Sequence, residues 1–247
     1  MSRLWALVPL KNLASAKTRL ANALTGPERR ALVLAMARDV TAALAGSRAV
    51  ERVVLVSDIP DLPRLLGVPG VVSHSGAGVR GLNEDLGDAA LWAATQGASH
   101  VLIAHADLPL LTPALVDRFV APAGGDGLAG GLRAACCKHG TGTNLLLAPL
   151  PLPLPLVFGS GSLARFRSIA TAAGIAFEVR RDPMLAQDID ESPDYEVLQG
   201  LCRRGSFKHS ATAALLREDR ARRPRTGVQA DLHCEASSPG RLALSSA

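Results

Sequence analysis

The chain alternates continuous apolar runs with segments whose apolar residues recur every three or four positions. Leu4 to Leu10 is the first such run. Arg52 to Ser57 (RVVLVS) and His100 to His105 are two more, with few polar positions. Runs of this kind predict strands covered on both faces, as in a parallel sheet packed between helices. Pro27 suits a first helical turn, and Leu32, Met36, Val40, Ala43 and Leu44 then fall on one helix face. Leu82 to Gln96 predicts a second helix, with Leu82, Leu86, Ala89, Ala90 and Ala93 on one side. Thr112 is expected to cap a third, with Pro113 in its first turn. Val68 to His74 reads as a short strand.

The second part is less regular. Ala129 to Ala135 and Asn144 to Leu147 read as strands flanking a Gly-rich turn. Pro149 to Pro155 (PLPLPLP) suits neither a central strand nor a helix and is predicted to be an extended linker. A helix from Ser162 to Ala173, a strand from Ile175 to Arg180 and a last helix opened by Pro193 follow. Strand and helix in alternation predict an α/β fold, a Rossmann-like, mostly parallel sheet flanked by helices. Residues 1–202 are read as one domain. Residues 203–247, where the pattern decays, are read as a basic, disordered tail whose removal from residue 205 onward leaves activity intact.

Composition sharpens this outline. The chain has 247 residues, enough for one large α/β domain. Aromatic residues make up only 3%, so Leu, Val and Ala must do the packing. No apolar stretch is long enough to span a membrane, and the N-terminus breaks at Pro9 and Lys11 too early for a secretory signal. The chain therefore reads as soluble and cytoplasmic, with no membrane partner. The net charge of +5 misleads: residues 1–202 hold 18 basic and 18 acidic side chains, and residues 203–247 hold 9 and 4. The body is neutral, so the pI of about 9.4 does not argue for a specific nucleic-acid partner. A homodimer is left open. Cys136, Cys137, Cys202 and Cys234 match no zinc or redox spacing, and no structural disulfide is expected.

Ligands of open α/β sheets bind at the carboxyl ends of the strands, where three clusters should meet. Lys11, Lys17 and Arg19 follow the first strand and could hold phosphates, or could line a solvated loop. Asp107 follows the strand ending at His105 and could hold Mg²⁺ against a nucleoside triphosphate, or only organise the turn into Thr112. Asp188 and Asp190 alternate on an extended segment, so both carboxylates face one side. A divalent cation would relieve their repulsion; an exposed strand end is the bland reading. His139 to Asn144 and Phe158 to Ser162 are Gly-rich, and the second leads into a helix start. Neither is a P-loop or a dinucleotide fingerprint. His105 is expected to pack rather than to ligate.

In this order the segments resemble a known family. They are Leu7-Val-Pro-Leu-Lys11, Ala16-Lys-Thr-Arg-Leu20, Gly81-Leu-Asn83, His105-Ala-Asp-Leu-Pro109, Gly140-Thr-Gly-Thr-Asn144, Phe158-Gly-Ser-Gly-Ser162 and Asp188-Ile-Asp190. Over residues 3 to about 200 the chain is similar to the guanylyltransferases of deazaflavin coenzyme F-420 biosynthesis, which act on 2-phospho-L-lactate or phosphoenolpyruvate. The resemblance implies a nucleotide-diphospho-sugar-transferase-like fold. It also implies transfer of GMP from GTP to a phosphorylated three-carbon acid, with release of pyrophosphate. By the same resemblance Asp107, Asp188 and Asp190 would hold Mg²⁺ and, with Lys17, form the catalytic set. Lys17, Thr143, Gly159 and Ser162 would bind the acceptor, with Arg19 beside them and Asn83 a looser candidate for the nucleotide.

One departure bears on the substrate. Members of the family often carry an Asp-Arg-like pair just before Gly-Thr-Gly-Thr-Asn, where this chain has Cys137-Lys138. A less negative pocket would make 3-phospho-D-glycerate an acceptor to weigh beside phosphoenolpyruvate and 2-phospho-L-lactate; the bland reading is that Cys137 packs. Nucleotidyltransferases of the same fold with sugar-phosphate or molybdopterin acceptors usually open on a Leu-Ala-Gly-Gly-like loop, and Val8-Pro-Leu-Lys11 argues against them. A non-catalytic nucleotide-binding regulator would not need three placed aspartates.

Overall fold

The computed structural model describes residues 3–11, 13, 16–75, 81–122, 130–207 and 210–222. Seven strands form one sheet: β1 (Leu4–Pro9), β2 (Arg52–Val56), β3 (Val72–His74), β4 (His100–Ala104), β5 (Leu132–Cys136), β6 (Thr143–Pro149) and β7 (Phe177–Arg180). The helices are α1 (Gly26–Ala45), α2 (Leu62–Leu66), α3 (Leu82–Thr95), α4 (Pro113–Val120), α5 (Ser162–Ala172), α6 (Ser192–Arg204) and α7 (Ala211–Arg222), with a 3-10 turn at Thr18–Leu20. The strand order is β3-β2-β1-β4-β6-β5-β7. β1, β2, β3 and β4 pair in parallel, as do β5 and β7; β6 runs antiparallel to both β4 and β5. The sheet is mostly parallel, as expected, and mixed, because the Gly-rich turn after β5 sends β6 back into the middle of the sheet.

Alternation along the strands splits the core in two. Leu4, Ala6 and Val8 of β1 face one layer, and Trp5 and Leu7 face the other. The first layer is closed by α1, α4, α6 and α7, through Leu32, Met36, Phe119, Leu198 and Leu216 among others. The second is closed by α3 and α5, through Leu86, Ala89, Ala93, Leu163 and Phe166. Trp5 and Phe166 are wholly buried. With so few aromatics, truncating either would open a cavity costing about 3–5 kcal/mol.

Local signals explain the helix starts. Thr25 caps α1, its hydroxyl accepting from the Glu28 N–H while the Glu28 carboxylate accepts from the Thr25 N–H at 2.6 Å. Thr112 caps α4 by accepting from the Leu115 N–H at 3.2 Å.

Three expectations need correction. The strand expected over Val68–His74 forms only at Val72–His74, and a helical turn at Leu62–Leu66 precedes it. The Pro-Leu run after β6 is no spacer between units. Leu150, Leu152, Leu154 and Leu156 lie partly buried on the second core layer, so the segment covers the sheet while proline removes its ladder donors. The body also does not end at Cys202. α6 continues to Arg204, and α7 packs on α1 with Ala213 and Leu216 buried. The Asp39 carboxylate of α1 accepts from the N–H groups of Ala211 at 2.6 Å and Thr212 at 2.9 Å, which caps α7 from outside. The remainder of the expected tail, with Cys234, and the expected strand start at Ala129 lie outside the described residues. No described helix is long and apolar enough to cross a membrane.

Candidate active site

The carboxyl ends of β1 and β4 lie side by side, since the two strands pair directly. Lys17, in the loop after β1, adopts a left-handed conformation with φ of 55°. Such a backbone costs a non-glycine residue of order 1 kcal/mol and persists only where surroundings fix it. Here its side chain is fixed: the ammonium pairs with the Asp107 carboxylate and donates to Asp190 Oδ1 at 2.6 Å. Burial pulls the Lys17 pKa down, but the Asp107 and Asp190 carboxylates outweigh it and hold the group above the ordinary lysine range.

Asp107 lies just past β4. Burial works against its ionisation, yet Lys17 and then His105 hold its carboxyl below the usual range. Its other oxygen, Oδ1, is buried and has no hydrogen-bond partner among the described residues. The loop carrying Asp188 and Asp190 is tied to this strand end by the Ile189 N–H, which donates to the Asp107 carbonyl at 3.3 Å. Burial pushes the Asp188 carboxyl up, and the Asp107 and Asp190 charges push it the same way. The amide of Asn144 donates to Asp188 Oδ1 at 3.4 Å and to the Leu185 carbonyl at 3.0 Å.

The three expected aspartates therefore lie close together beside the end of β4, with Lys17 between two of them. Among the described residues no three His, Cys, Asp or Glu side chains form a ready-made metal cage. The donor set suits instead a cation that keeps water and takes phosphate oxygens, as Mg²⁺ does with one or two carboxylates. The partnerless Asp107 oxygen and the crowding felt by Asp188 are what such an ion would relieve.

The loop is held from behind. Asp194, in the first turn of α6, accepts from the N–H groups of Asp190 at 3.0 Å and Glu191 at 2.9 Å. Its second oxygen pairs with Lys138 from the β5–β6 turn. Arg19 pairs with Glu191 at 3.1 Å. Arg19 thus braces the same loop and is committed to a partner.

Of the expected acceptor-binding residues, Thr143, Gly159 and Ser162 lie around the β5–β6 turn. The buried hydroxyl of Ser162 donates to that of Thr143 at 3.1 Å. Gly159 has φ of 119°, a conformation that favours glycine. The Leu163 N–H donates to the Thr141 carbonyl at 3.0 Å and seats the start of α5 on the turn. Cys137 Sγ accepts from the Gly142 N–H at 3.1 Å, so the thiol faces into its own turn. Gly142 has room for this because it lacks a Cβ, which would stand 3.2 Å from that sulfur. Both ends of the Asn83 amide are taken by Phe158: Nδ2 donates to its carbonyl at 3.1 Å and Oδ1 accepts its N–H at 2.7 Å. Asn83 holds the Gly-rich loop in position against α3. His105 packs on the Phe158 ring, centroids 5.3 Å apart.

Sequence reasoning missed Asp194, the contacts of Asn144 and Lys138, and the ion pair between Lys11 and Asp85. The Asp194 role could have been read from its place three residues after Glu191 at a helix start. A cavity of about 390 Å³ opens beside these groups, lined by Lys11, Lys17, Asp85, Asp107 and the apolar side chains of Leu10, Met36 and Leu82.

Known proteins share this fold and much of this sequence. Residues 4–212 match the family described as guanylyl transferase CofC like. The phosphoenolpyruvate guanylyltransferase of Sphaerobacter thermophilus is 37% identical over 195 residues, covering 79% of this chain and 92% of that protein. The phosphoenolpyruvate guanylyltransferase of Conexibacter woesei is 32% identical, covering 83% and 92%. A crystal structure from Desulfovibrio desulfuricans G20, assigned as a nucleotide-diphospho-sugar transferase, superposes with a TM-score of 0.70 at 22% identity, covering 90% of this chain and 96% of that one. That likeness speaks to the fold, and the sequence match to the family: with strand-end aspartates gathered around Lys17, this chain belongs to the CofC-like guanylyl transferases and is a nucleotidyltransferase.

Proposed function

We propose that the chain transfers GMP from GTP to phosphoenolpyruvate, with release of pyrophosphate, in the cytoplasmic assembly of coenzyme F-420. The observation that carries the reading is the Lys17 ammonium held between Asp107 and Asp190 in the lining of a cavity of about 390 Å³. The name borne by the relatives favours phosphoenolpyruvate as acceptor. 2-Phospho-L-lactate and 3-phospho-D-glycerate are the acids to compare with it. The Cys137 thiol is turned into its own turn, so any preference for phosphoglycerate would come from the missing carboxylate and not from a contact of the sulfur.

The acceptor's phosphate oxygen is already ionised near pH 7, so no strong general base is needed. That oxygen attacks the α-phosphorus, a new P–O bond forms, the bond to the β-phosphate oxygen breaks, and pyrophosphate leaves with the electron pair. The obstacle is the approach of two anions. Lys17 neutralises the phosphates, and the Thr143 and Ser162 hydroxyls with the Gly159 backbone orient the acceptor. Asp107, Asp188 and Asp190 would hold Mg²⁺, which supplies positive charge to the phosphates when bound.

Pyrophosphate release measured over the four nucleoside triphosphates with the three acids and a sugar phosphate tests the proposal. Fast release with GTP and phosphoenolpyruvate, and a guanosine-diphospho-linked acid by mass spectrometry, is the expected result. Release with a sugar phosphate and with none of the three acids would overturn it.

A further inference from the structure

Asp85 lies in the first turn of α3 and is only 2% exposed. One carboxylate oxygen pairs with Lys11, which follows β1. The other, Oδ1, is fully buried and has no hydrogen-bond partner among the described residues. A carboxylate that served only the helix dipole or the ion pair would gain by staying in water. Leaving one oxygen dry and unpaired is a cost that a bound donor would remove. Both Asp85 and Lys11 line the cavity that Lys17 and Asp107 also line. Leu10, Met36 and Leu82 give that cavity apolar walls suited to a flat ring. Asn83, the residue expected to meet the nucleotide, is spent on the Phe158 backbone.

We infer that Asp85 and Lys11 together read the Watson–Crick edge of guanine. The inference rests on the guanylyltransferase reading above and names the groups that would select the base. Guanine presents two adjacent donors, N1–H and N2–H₂, and one acceptor, O6. The free Asp85 oxygen accepts from the donors, and the Lys11 ammonium donates to O6. Adenine presents the reverse, an acceptor at N1 and a donor at N6. It would set acceptor against carboxylate and donor against ammonium, and a site built for hydrogen bonds rejects such a mismatch strongly. Xanthine keeps N1–H and O6 but carries an acceptor in place of N2–H₂, so it should be refused by the carboxylate and welcomed by an amide.

The test is steady-state pyrophosphate release by the full chain with GTP, ATP, XTP and 2-aminopurine riboside triphosphate, for the wild type, Asp85→Asn and Lys11→Met. For Asp85→Asn, kcat/KM with GTP should fall about a hundredfold, and the XTP-to-GTP ratio should rise at least tenfold. Unchanged GTP kinetics, or a loss that affects GTP and XTP equally, would overturn the inference. If Asp85→Asn does not fold, Lys11→Met, which removes the donor, decides. It should narrow the preference for GTP over 2-aminopurine riboside triphosphate, which lacks O6 and with it the N1–H that Asp85 would still read, and an unchanged preference would overturn the inference. A wild-type protein that turns over no GTP would sink the guanylyltransferase reading instead, so the two failures are distinguishable.

Discussion

Lys17 donates to Asp190 at 2.6 Å across 173 residues of chain. The bond joins the loop after the first strand to the loop before α6, and Asp107 completes it from the end of β4. Three segments distant in sequence are thereby clamped by a single ammonium. Its charge is secured by two carboxylates, and the residue's left-handed backbone is held by the same contacts.

Replacing Lys17 by Met should lower kcat with GTP and the acceptor by about 10²–10³, the usual loss when one preorganised charge is removed from a site that neutralises anions. Lys17→Arg should recover only part of it, because a planar guanidinium cannot sit as a point charge between two carboxylates. Single-turnover pyrophosphate release separates this from weaker binding. A variant with kcat near wild type would remove Lys17 from the catalytic set.

Asp194→Ala should slow turnover without touching a substrate. Its carboxylate holds the Asp190 and Glu191 N–H groups, and Lys138 braces it from the β5–β6 turn. Loss of those bonds should cost about 1–3 kcal/mol of stability and loosen the loop that carries Asp188 and Asp190. Asp194→Asn, which keeps one acceptor oxygen, should recover most of the loss. The check is urea unfolding beside activity; full activity in Asp194→Ala would separate this brace from the reaction.

Much of this architecture was legible in the sequence because apolar runs and 3.6-residue repeats respond to burial alone. The strands at Leu4, Arg52 and His100 and the helices at Pro27 and Leu82 are of that kind. Strand direction is not written in an apolar run, so the reversal of β6 was invisible. α2 spans too few residues for a repeat to emerge, and α7 buries its apolar positions among many charged ones. The strand-end aspartates could be named because carboxylates at those positions are costly without a use. Their partners could not. Whether Lys11 meets Asp85, or Lys138 meets Asp194, depends on how loops fold over the sheet, so both lysines could be singled out in one dimension but not paired.

A pH dependence should appear far from the site, at Asp117 of α4. Its Oδ1 accepts from the Ser47 hydroxyl at 2.5 Å and from the N–H groups of Arg48 at 3.0 Å and Ala49 at 3.2 Å. The Ser47 bond, more than the backbone donors, holds the carboxyl below its ordinary value of 3.8, although some burial opposes it. A depressed folded value means the stabilisation is complete above the unfolded value and is lost as pH falls through the folded one. Asp117→Ala should therefore be less stable than wild type by about 1–2 kcal/mol at pH 7. That gap should stay level down to about pH 5 and close as the pH falls below the ordinary carboxylate value. A gap independent of pH would show that the loss comes from packing and not from the charged acceptor.

Truncation locates the end of the folded body. A chain ending at Gly205 loses α7, with buried Ala213 and Leu216 and the bond from Tyr195 to Asp219 at 3.3 Å. It also uncovers the first core layer along α1 and leaves the Asp39 carboxylate without the N–H groups it caps. Losing one buried leucine alone costs about 2–5 kcal/mol, and domains are stable by only about 5–15 kcal/mol. The shorter chain should therefore melt well below the full one, by about 10 °C or more, or fail to fold. A chain ending at Arg222 keeps every one of these contacts and should match the full protein in melting temperature and in pyrophosphate release. Asp39→Ala in the full chain should reproduce part of the loss, because α7 keeps its apolar contacts but not its cap. Differential scanning calorimetry of the four proteins decides the matter. If the chain ending at Gly205 melts like the full one, α7 contributes nothing to the domain and the sequence-based boundary at 202 is the right one.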